Sequence, residues 1–152
     1  IVASAFVQVV DTEVARGTPT RAISLSGTWR YTIDENLPAA DISRAVTTMK
    51  IPSNWYRQGL DHSGVVWFTR SVDVPNANAW RLELDGIDYR CEIYLDGTRI
   101  GSHTGYFSPF SVPVPARAGR HELAIRVDHL RSGSTRSCGC APPTMPRQQI
   151  KE

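Results

Sequence analysis

Run after run between Trp29 and Val127 sets one apolar residue against one polar residue, and apolar residues almost nowhere recur at the three-to-four spacing of a helix. A period of two sends alternate side chains to opposite faces of an extended strand, so these runs predict β-strands with one face turned to a core. Trp29, Tyr31 and Ile33 share one such face after Gly27. Val66, Phe68, Val72 and Val74 share another, interrupted only by Arg70. Trp80, Leu82 and Leu84 alternate with Arg81, Glu83 and Asp85, and Tyr89, Cys91, Ile93 and Leu95 with Arg90, Glu92, Tyr94 and Asp96. Asp96-Gly97 then fits a type I′ hairpin, whose two central residues both need positive φ, so the chain should turn back through Thr98 to Ile100. Phe110, Val112 and Val114 carry Pro113 and Pro115 between and after them. Those prolines cannot donate to a ladder and predict an edge strand. Leu123, Ile125 and Val127 form the last clear strand. Leu37 to Ala45 is expected to make a helical turn too short to shape the architecture.

Many short strands with turn signals between them, and no crossover helices, predict an antiparallel all-β sandwich or barrel and exclude a parallel α/β sheet. With 152 residues there is room for about one domain of the usual 100–200 residues. The composition, 41% hydrophobic and 21% charged, suits a chain that buries a core. Its apolar runs fall far short of the roughly 20 residues that a membrane-spanning helix requires. Seventeen Lys and Arg against fifteen Asp and Glu make no electrostatic case for nucleic acid or an anionic membrane, so neither is an expected partner.

The residues that carry chemistry elsewhere are present here without their arrangements. Asp61, His62 and Ser63 are the types of a hydrolase triad, yet three consecutive residues cannot face one another as a triad must. No nucleophile elbow, phosphate-binding loop or dinucleotide fingerprint occurs. His62, His103, His121 and His129 lack metal-ligand spacing, and each reads as a lone surface or turn residue. Cys91 falls inside a strand and is expected to be a small buried residue. Cys138-Gly-Cys140 sits in a polar, proline-bearing stretch with only His129 nearby, too few ligands for structural zinc. No metal and no cofactor are expected. Glu83, Asp85, Glu92 and Asp96 lie on polar strand faces, where pairing with Arg81 and Arg90 is the ordinary role, and no catalytic pair is assigned. Among the aromatics, Trp29, Trp80, Tyr89 and Phe68 fall on core faces. Trp55, Tyr56, Tyr106 and Phe107 fall in loops and are the candidates for stacking on a ligand or for plugging an end of the sandwich.

Seven landmarks follow in order: Leu25-Ser-Gly-Thr-Trp29; Ile51-Pro-Ser-Asn-Trp55; Gly64-Val-Val-Trp-Phe-Thr-Arg70 leading to Val74-Pro75; Leu82-Glu-Leu-Asp-Gly-Ile87; Glu92-Ile-Tyr-Leu-Asp-Gly97; Ile100-Gly-Ser-His-Thr-Gly-Tyr-Phe-Ser-Pro-Phe110; and Gly119-Arg-His-Glu-Leu-Ala-Ile-Arg-Val127. Together, over roughly Ile23 to Asp128, they resemble the N-terminal sugar-binding domain of glycoside hydrolase family 2, which comprises β-galactosidases, β-glucuronidases and β-mannosidases. The resemblance implies a galactose-binding-like jelly-roll sandwich that precedes an immunoglobulin-like domain and a catalytic (β/α)8 barrel, both partners of this domain in the parent chain. The catalytic glutamates of that family lie on the barrel, so the chain by itself is expected to be inactive and to shape the pocket for a neutral or acidic glycoside. The loop before the Gly64 strand reaches the pocket in the β-galactosidase branch, which implies that Asp61 or His62 hydrogen-bonds a sugar hydroxyl. On this reading residues 1–22 are an N-terminal arm or leading strand, 23–130 the sandwich, and 131–152 a severed linker toward missing domains. A chain that starts at Ile1 without Met and ends at Glu152 without a cap reads as a fragment. A stand-alone carbohydrate-binding module and an adhesion or scaffold sandwich are the alternatives.

Overall fold

The computed structural model describes residues 8–11, 22–75, 80–105, 108–115 and 117–129. Among the described residues ten strands form two antiparallel sheets: β1 (Gln8–Asp11), β2 (Ala22–Ser24), β3 (Gly27–Thr32), β4 (Thr47–Ile51), β5 (Gly64–Val74), β6 (Trp80–Leu84), β7 (Arg90–Leu95), β8 (Thr98–Thr104), β9 (Phe110–Val114) and β10 (Gly119–His129). One sheet has the order β2-β1-β6-β9 and the other β4-β3-β5-β10-β7-β8. The all-β antiparallel sandwich predicted from the alternation is the observed architecture. Gln8, Val9 and Val10 pair with β2, and Gln8 to Asp11 with β6, which puts that segment inside the smaller sheet.

The core lies between the sheets and is made by the inward members of the alternating runs. Trp29, Val66, Phe68, Val72, Val74, Trp80, Leu82, Leu84, Cys91, Ile93, Leu95, Leu123, Ile125 and Val127 are all buried within it. Each fully buried aliphatic side chain in this set contributes about 1.5–3 kcal/mol relative to exposure. Ile33 departs from expectation: β3 ends at Thr32, and Ile33 is 47% exposed instead of sharing the face of Trp29. Tyr89 is half-buried and precedes β7 instead of lying in it.

Turn chemistry sets the register where the sequence says it should. Asp96 at φ 49° and Gly97 at φ 80° supply the two positive φ values of the β7–β8 hairpin, and Leu95 pairs with Thr98 across it. Among the described residues β9 pairs with β6 alone and stands at the edge of its sheet, the place where a strand tolerates a proline such as Pro113.

β5 and β10 pair along eleven residues, from Gly119 opposite Val74 to His129 opposite Gly64. Their outer faces are buried as well. Val65, Trp67 and Ala124 form a second apolar cluster with Ile42 and Ala45. Ile42 belongs to a 3₁₀ turn over Ala39–Arg44, so the short helical segment does shape the architecture, contrary to the sequence reading: it roofs the outer face of the larger sheet. Beside this cluster the same face is polar. Glu122 binds Arg30, accepts from Thr69 Oγ1 at 2.5 Å and accepts from Ser71 Oγ at 3.0 Å, tying β3, β5 and β10 together.

Two substitutions probe this packing. A Cβ on Gly101 of β8 would lie 2.6 Å from Cγ1 and 2.9 Å from Cγ2 of Val112 in the opposing sheet. Valine is stiff at χ1 and cannot swing away. Gly101→Ala is therefore expected to destabilise the chain by about 1–3 kcal/mol in urea denaturation.

The second probe is His121, whose Nδ1 meets Asp96 Oδ2 at 2.6 Å while its Nε2 meets the Arg117 carbonyl at 2.8 Å. Both neighbours are acceptors, so the ring must carry both protons to satisfy them. The Asp96 hydrogen bond, helped by the Arg117 carbonyl and opposed by burial, raises His121 above its ordinary 6.5. At Asp96 burial works upward, but the bonds from His121 and the Glu122 N–H outweigh it and hold the carboxyl below 3.8. Protonated His121 contributes stability that is fully present below pH 6.5 and lost as pH rises through its raised value, whereas ionised Asp96 contributes stability present above 3.8 and lost as pH falls through its lowered value. The melting temperature of the native chain minus that of His121→Asn should accordingly fall as pH rises from about 6 to about 9.

Candidate functional site

The loop singled out by the sequence lies at one end of the sandwich, where β5 begins. A 3₁₀ turn over Trp55–Gln58 leads into it. Asn54 caps that turn through Oδ1, which accepts from the Tyr56 N–H at 2.9 Å, and Gly59 closes it in the left-handed region at φ 87°. Gln58 then acts as an extra rung on edge strand β4: its Nε2 donates to the Lys50 carbonyl and its Oε1 accepts from the Lys50 N–H, both at 2.8 Å. Past the turn, Tyr56 Oη donates to the His62 carbonyl at 3.1 Å and lies 3.4 Å from Ser63 Oγ. His62 Nε2 lies 3.1 Å from the Val65 carbonyl. The loop is thus held by its own polar atoms, with Asp61 left in solvent and His62 half-buried.

The four residues of the aromatic set fall differently. Tyr56 is 37% exposed and is bonded to the His62 carbonyl. Trp55 is 5% exposed and faces inward, stacked on Phe68 with ring centroids 6.2 Å apart, so its ring supports the loop from below. Tyr106 and Phe107 lie outside the described residues, as do Cys138 and Cys140. Glu35 joins the same end of the sandwich: its Oε1 would be 2.7 Å from a Cβ on Gly64, and His62 Nε2 3.4 Å from it. Gly64 has φ 127°, so both backbone and space require glycine there. A shallow groove of about 290 Å³ opens nearby, lined by Tyr31, Ile33, Arg44, Val46 and Leu60. Val46 is 86% exposed.

Beneath the loop lies a polar cluster that the sequence reading missed. His129 ends β10, and because Asp128 pairs with Arg90, the register carries His129 toward the Asp88-Tyr89 turn. The Asp88–Tyr89 peptide is cis. Asp88 is 5% and His129 8% exposed, and Trp55 meets the His129 ring edge-on with centroids 5.7 Å apart. Burial pushes the Asp88 carboxyl up, and the charge of His129 pulls it partly back. His129 is therefore no lone surface histidine. Neither are the other two outside the loop, since His103 stacks on Phe110 at 4.0 Å and His121 bridges Asp96 and Arg117. A period-two pattern shows that residue 129 continues an inward-facing series with Val127, but it says nothing of the turn the ring meets.

The remaining candidates are structural. Glu92 accepts from Tyr94 Oη at 3.0 Å and pairs with Arg99 at 3.1 Å, Glu83 pairs with Arg81 at 3.0 Å, and Asp96 holds His121. Cys91 is 1% exposed, and burial pushes its thiol up to about 11, far from a reactive thiolate. Among the described residues no group of three or more His, Cys, Asp or Glu is placed to hold a metal, and no helix is long and apolar enough to cross a membrane.

No protein-family model matches the chain. The chain is similar to the β-glucuronidase of Streptococcus agalactiae serotype V, with 28% identity over 99 residues, 60% of this chain and 16% of that protein. It is also similar to a putative β-glucuronidase of Formosa agariphila, with 22% identity over 123 residues, 70% of this chain and 14% of that protein. Bifidobacterium dentium β-glucuronidase, solved with coumarin-3-O-glucuronide, matches at TM-score 0.61 and 30% identity over 68% of this chain and 19% of its own. The apo β-glucuronidase of Ruminococcus gnavus matches at TM-score 0.64 and 23% identity over 70% of this chain and 21% of its own. These are distant, partial matches to β-glucuronidases, and the chain spans about a sixth of the curated relatives' length.

The loop geometry is open to test through Tyr56. Tyr56→Phe removes the bond to the His62 carbonyl and should cost about 0.5–1 kcal/mol, because the hydroxyl is partly exposed. Hydrogen exchange should speed up at the amides of residues 61–65 while the β5–β10 amides keep their protection.

Proposed function

We propose that this chain is the N-terminal, sugar-binding-like sandwich of a family 2 glycoside hydrolase, a non-catalytic domain that buttresses the catalytic barrel and forms one wall of its substrate pocket. The observation that carries the reading is the span of the resemblance. The ordered landmarks from Ile23 to Asp128 run from β2 to β10, and 68–70% of the chain matches solved β-glucuronidases while filling only 19–21% of them. On this reading residues 1–22 are an arm whose β1 segment joins the sandwich, and 131–152 lead toward the immunoglobulin-like domain and the barrel. The parent substrate is a β-glucuronide, preferred over galactoside or mannoside because the matched relatives and structures named above are β-glucuronidases.

The pocket wall is assigned to Asp61, His62 and exposed Tyr56. Asp61 and His62 offer an acceptor and a switchable ring nitrogen to sugar hydroxyls, and Tyr56 offers a face and an edge to the sugar or its aglycone. Trp55 supports them from the core. The groove bearing Val46 and Ile33 is an apolar surface of the kind that a neighbouring domain covers.

The test compares two lengths of chain. A longer chain that includes the barrel should hydrolyse an aryl β-glucuronide with retention of configuration, and Asp61→Ala in it should raise KM by about tenfold, in line with the loss of one charged hydrogen bond of 1.4 kcal/mol. The 152-residue chain should show no turnover, and titration calorimetry with methyl β-D-glucuronide should give no heat. Turnover by the short chain overturns the assignment. Heat without turnover favours the stand-alone binding module.

A further inference from the structure

At the end of the sandwich opposite the candidate loop, where Gly119 of β10 faces Val74 of β5, two connections converge on one side chain. One is the Asp96-Gly97 turn of the β7–β8 hairpin, and the other carries the chain from β9 in the smaller sheet to β10 in the larger. His121 bonds to both, through Nδ1 to Asp96 Oδ2 at 2.6 Å and through Nε2 to the Arg117 carbonyl at 2.8 Å. Asp96 is also fixed to β10 by backbone groups: its Oδ1 accepts from the Glu122 N–H at 2.8 Å, and its own N–H donates to the Glu122 carbonyl at 2.9 Å. The imidazole thus links an anchored carboxylate to the crossing between the sheets.

Protonation decides how many of these bonds the ring can make. The imidazolium has two N–H donors and serves both acceptors, whereas the neutral ring has one donor and one lone pair. A lone pair facing an acceptor oxygen at these distances is repelled, so loss of the proton must break one bond. Asp96 keeps its bond, because a hydrogen bond to an ionised acceptor is about twice as strong as one to a neutral carbonyl. Nε2 is then the nitrogen left bare, and Arg117 the partner released. The other charges around the ring are Arg117 on the connection, Arg120 and Glu122 beside it on β10, and Asp73 on β5. Asp73 lies opposite Arg120, Glu122 binds Arg30, and the residue of β5 directly opposite His121 is the uncharged Val72. The Asp96 bond, with the Arg117 carbonyl and against burial, holds the ring above its ordinary 6.5, so the release comes as pH rises beyond that value.

We propose that His121 is a proton-operated clasp: protonated, it ties the β9–β10 crossing to the β7–β8 hairpin, and neutral, it keeps Asp96 and lets Arg117 go. The two bonds therefore do not share one fate, and one end of the sandwich loosens at the crossing alone. The inference stands on hydrogen bonds within the sandwich and holds whatever the parent protein hydrolyses.

Nuclear magnetic resonance on the whole 15N,13C-labelled chain, titrated from about pH 6 to about pH 9, tests it. Below the His121 midpoint both ring nitrogens should carry protons, and above it Nδ1 should remain protonated while Nε2 does not, the reverse of the tautomer that histidine favours in water. The Arg117 carbonyl carbon should shift with the same midpoint, while the Glu122 amide keeps its hydrogen-bonded shift. An Nε2–H tautomer above the midpoint, or an Arg117 carbonyl that does not respond, overturns the proposal. Asp96→Asn suits the positive φ of the turn and keeps an acceptor for the Glu122 N–H, but its amide N–H₂ would face Nδ1. That variant should lower the midpoint and turn the neutral ring to the Nε2–H tautomer, with the Arg117 carbonyl still bonded at high pH. A midpoint and tautomer unchanged from the native chain overturn the assigned role of Asp96, and the native titration decides the matter alone if the variant does not fold.

Discussion

The eleven-residue antiparallel ladder between β5 and β10 is the interaction on which the rest of the molecule depends. Both strands are interior to the larger sheet, and both of their faces are occupied. Val66, Phe68, Leu123, Ile125 and Val127 point into the sandwich, while Val65, Trp67 and Ala124 point outward under the 3₁₀ turn. A strand buried on both sides has one acceptable register, because a slip of β10 by one residue would expose a core face and bury Glu122 and Arg126 in its place. Arg70 shows how the single interruption in the inward series is tolerated: its guanidinium donates to the carbonyls of Leu25 and Ser26 at 2.7 and 3.0 Å.

From that ladder the candidate site follows by geometry. Gly64 opens β5 and His129 closes β10 directly opposite it, so the loop before β5 and the cluster under it meet at the same end of the sandwich. The 3₁₀ turn of Trp55 is pinned between them by the indole on one side and by the Gln58 amide against β4 on the other. Asp61 therefore projects from a braced loop, which is what the proposed pocket wall needs to hold a hydroxyl without paying ordering entropy at each binding event.

Much of this was readable from the residues. The alternation, the Asp96-Gly97 turn and the proline-bearing edge strand are local signals, each decided within a few residues, and each is found where expected. The exceptions share a cause. Ile33 continues the period-two pattern but lies past the last ladder position of β3, and the pattern carries no information about where pairing stops. Trp55 sits in a loop sequence, yet Phe68 offers it a core surface from a strand thirteen residues away. Ile42 and Ala45 occupy a segment too short to be a stable helix alone, and it is the bare outer face of β5 and β10 that gives their burial a purpose.

By itself, then, the order of residues determined that the chain is an antiparallel β-sandwich, which faces of its strands turn inward and how its hairpin closes, because these depend on side-chain period and backbone φ preferences within short stretches. Only the tertiary structure decided the fate of the polar residues. Asp88, His121, Glu122 and His129 look alike as isolated letters on strand ends, and they became a buried acid, a twice-bonded imidazole, the hub of a network and a core histidine. The reason is physical: the state of an ionisable group is set by what desolvates it and what bonds to it, and those neighbours are contributed by strands distant in the chain.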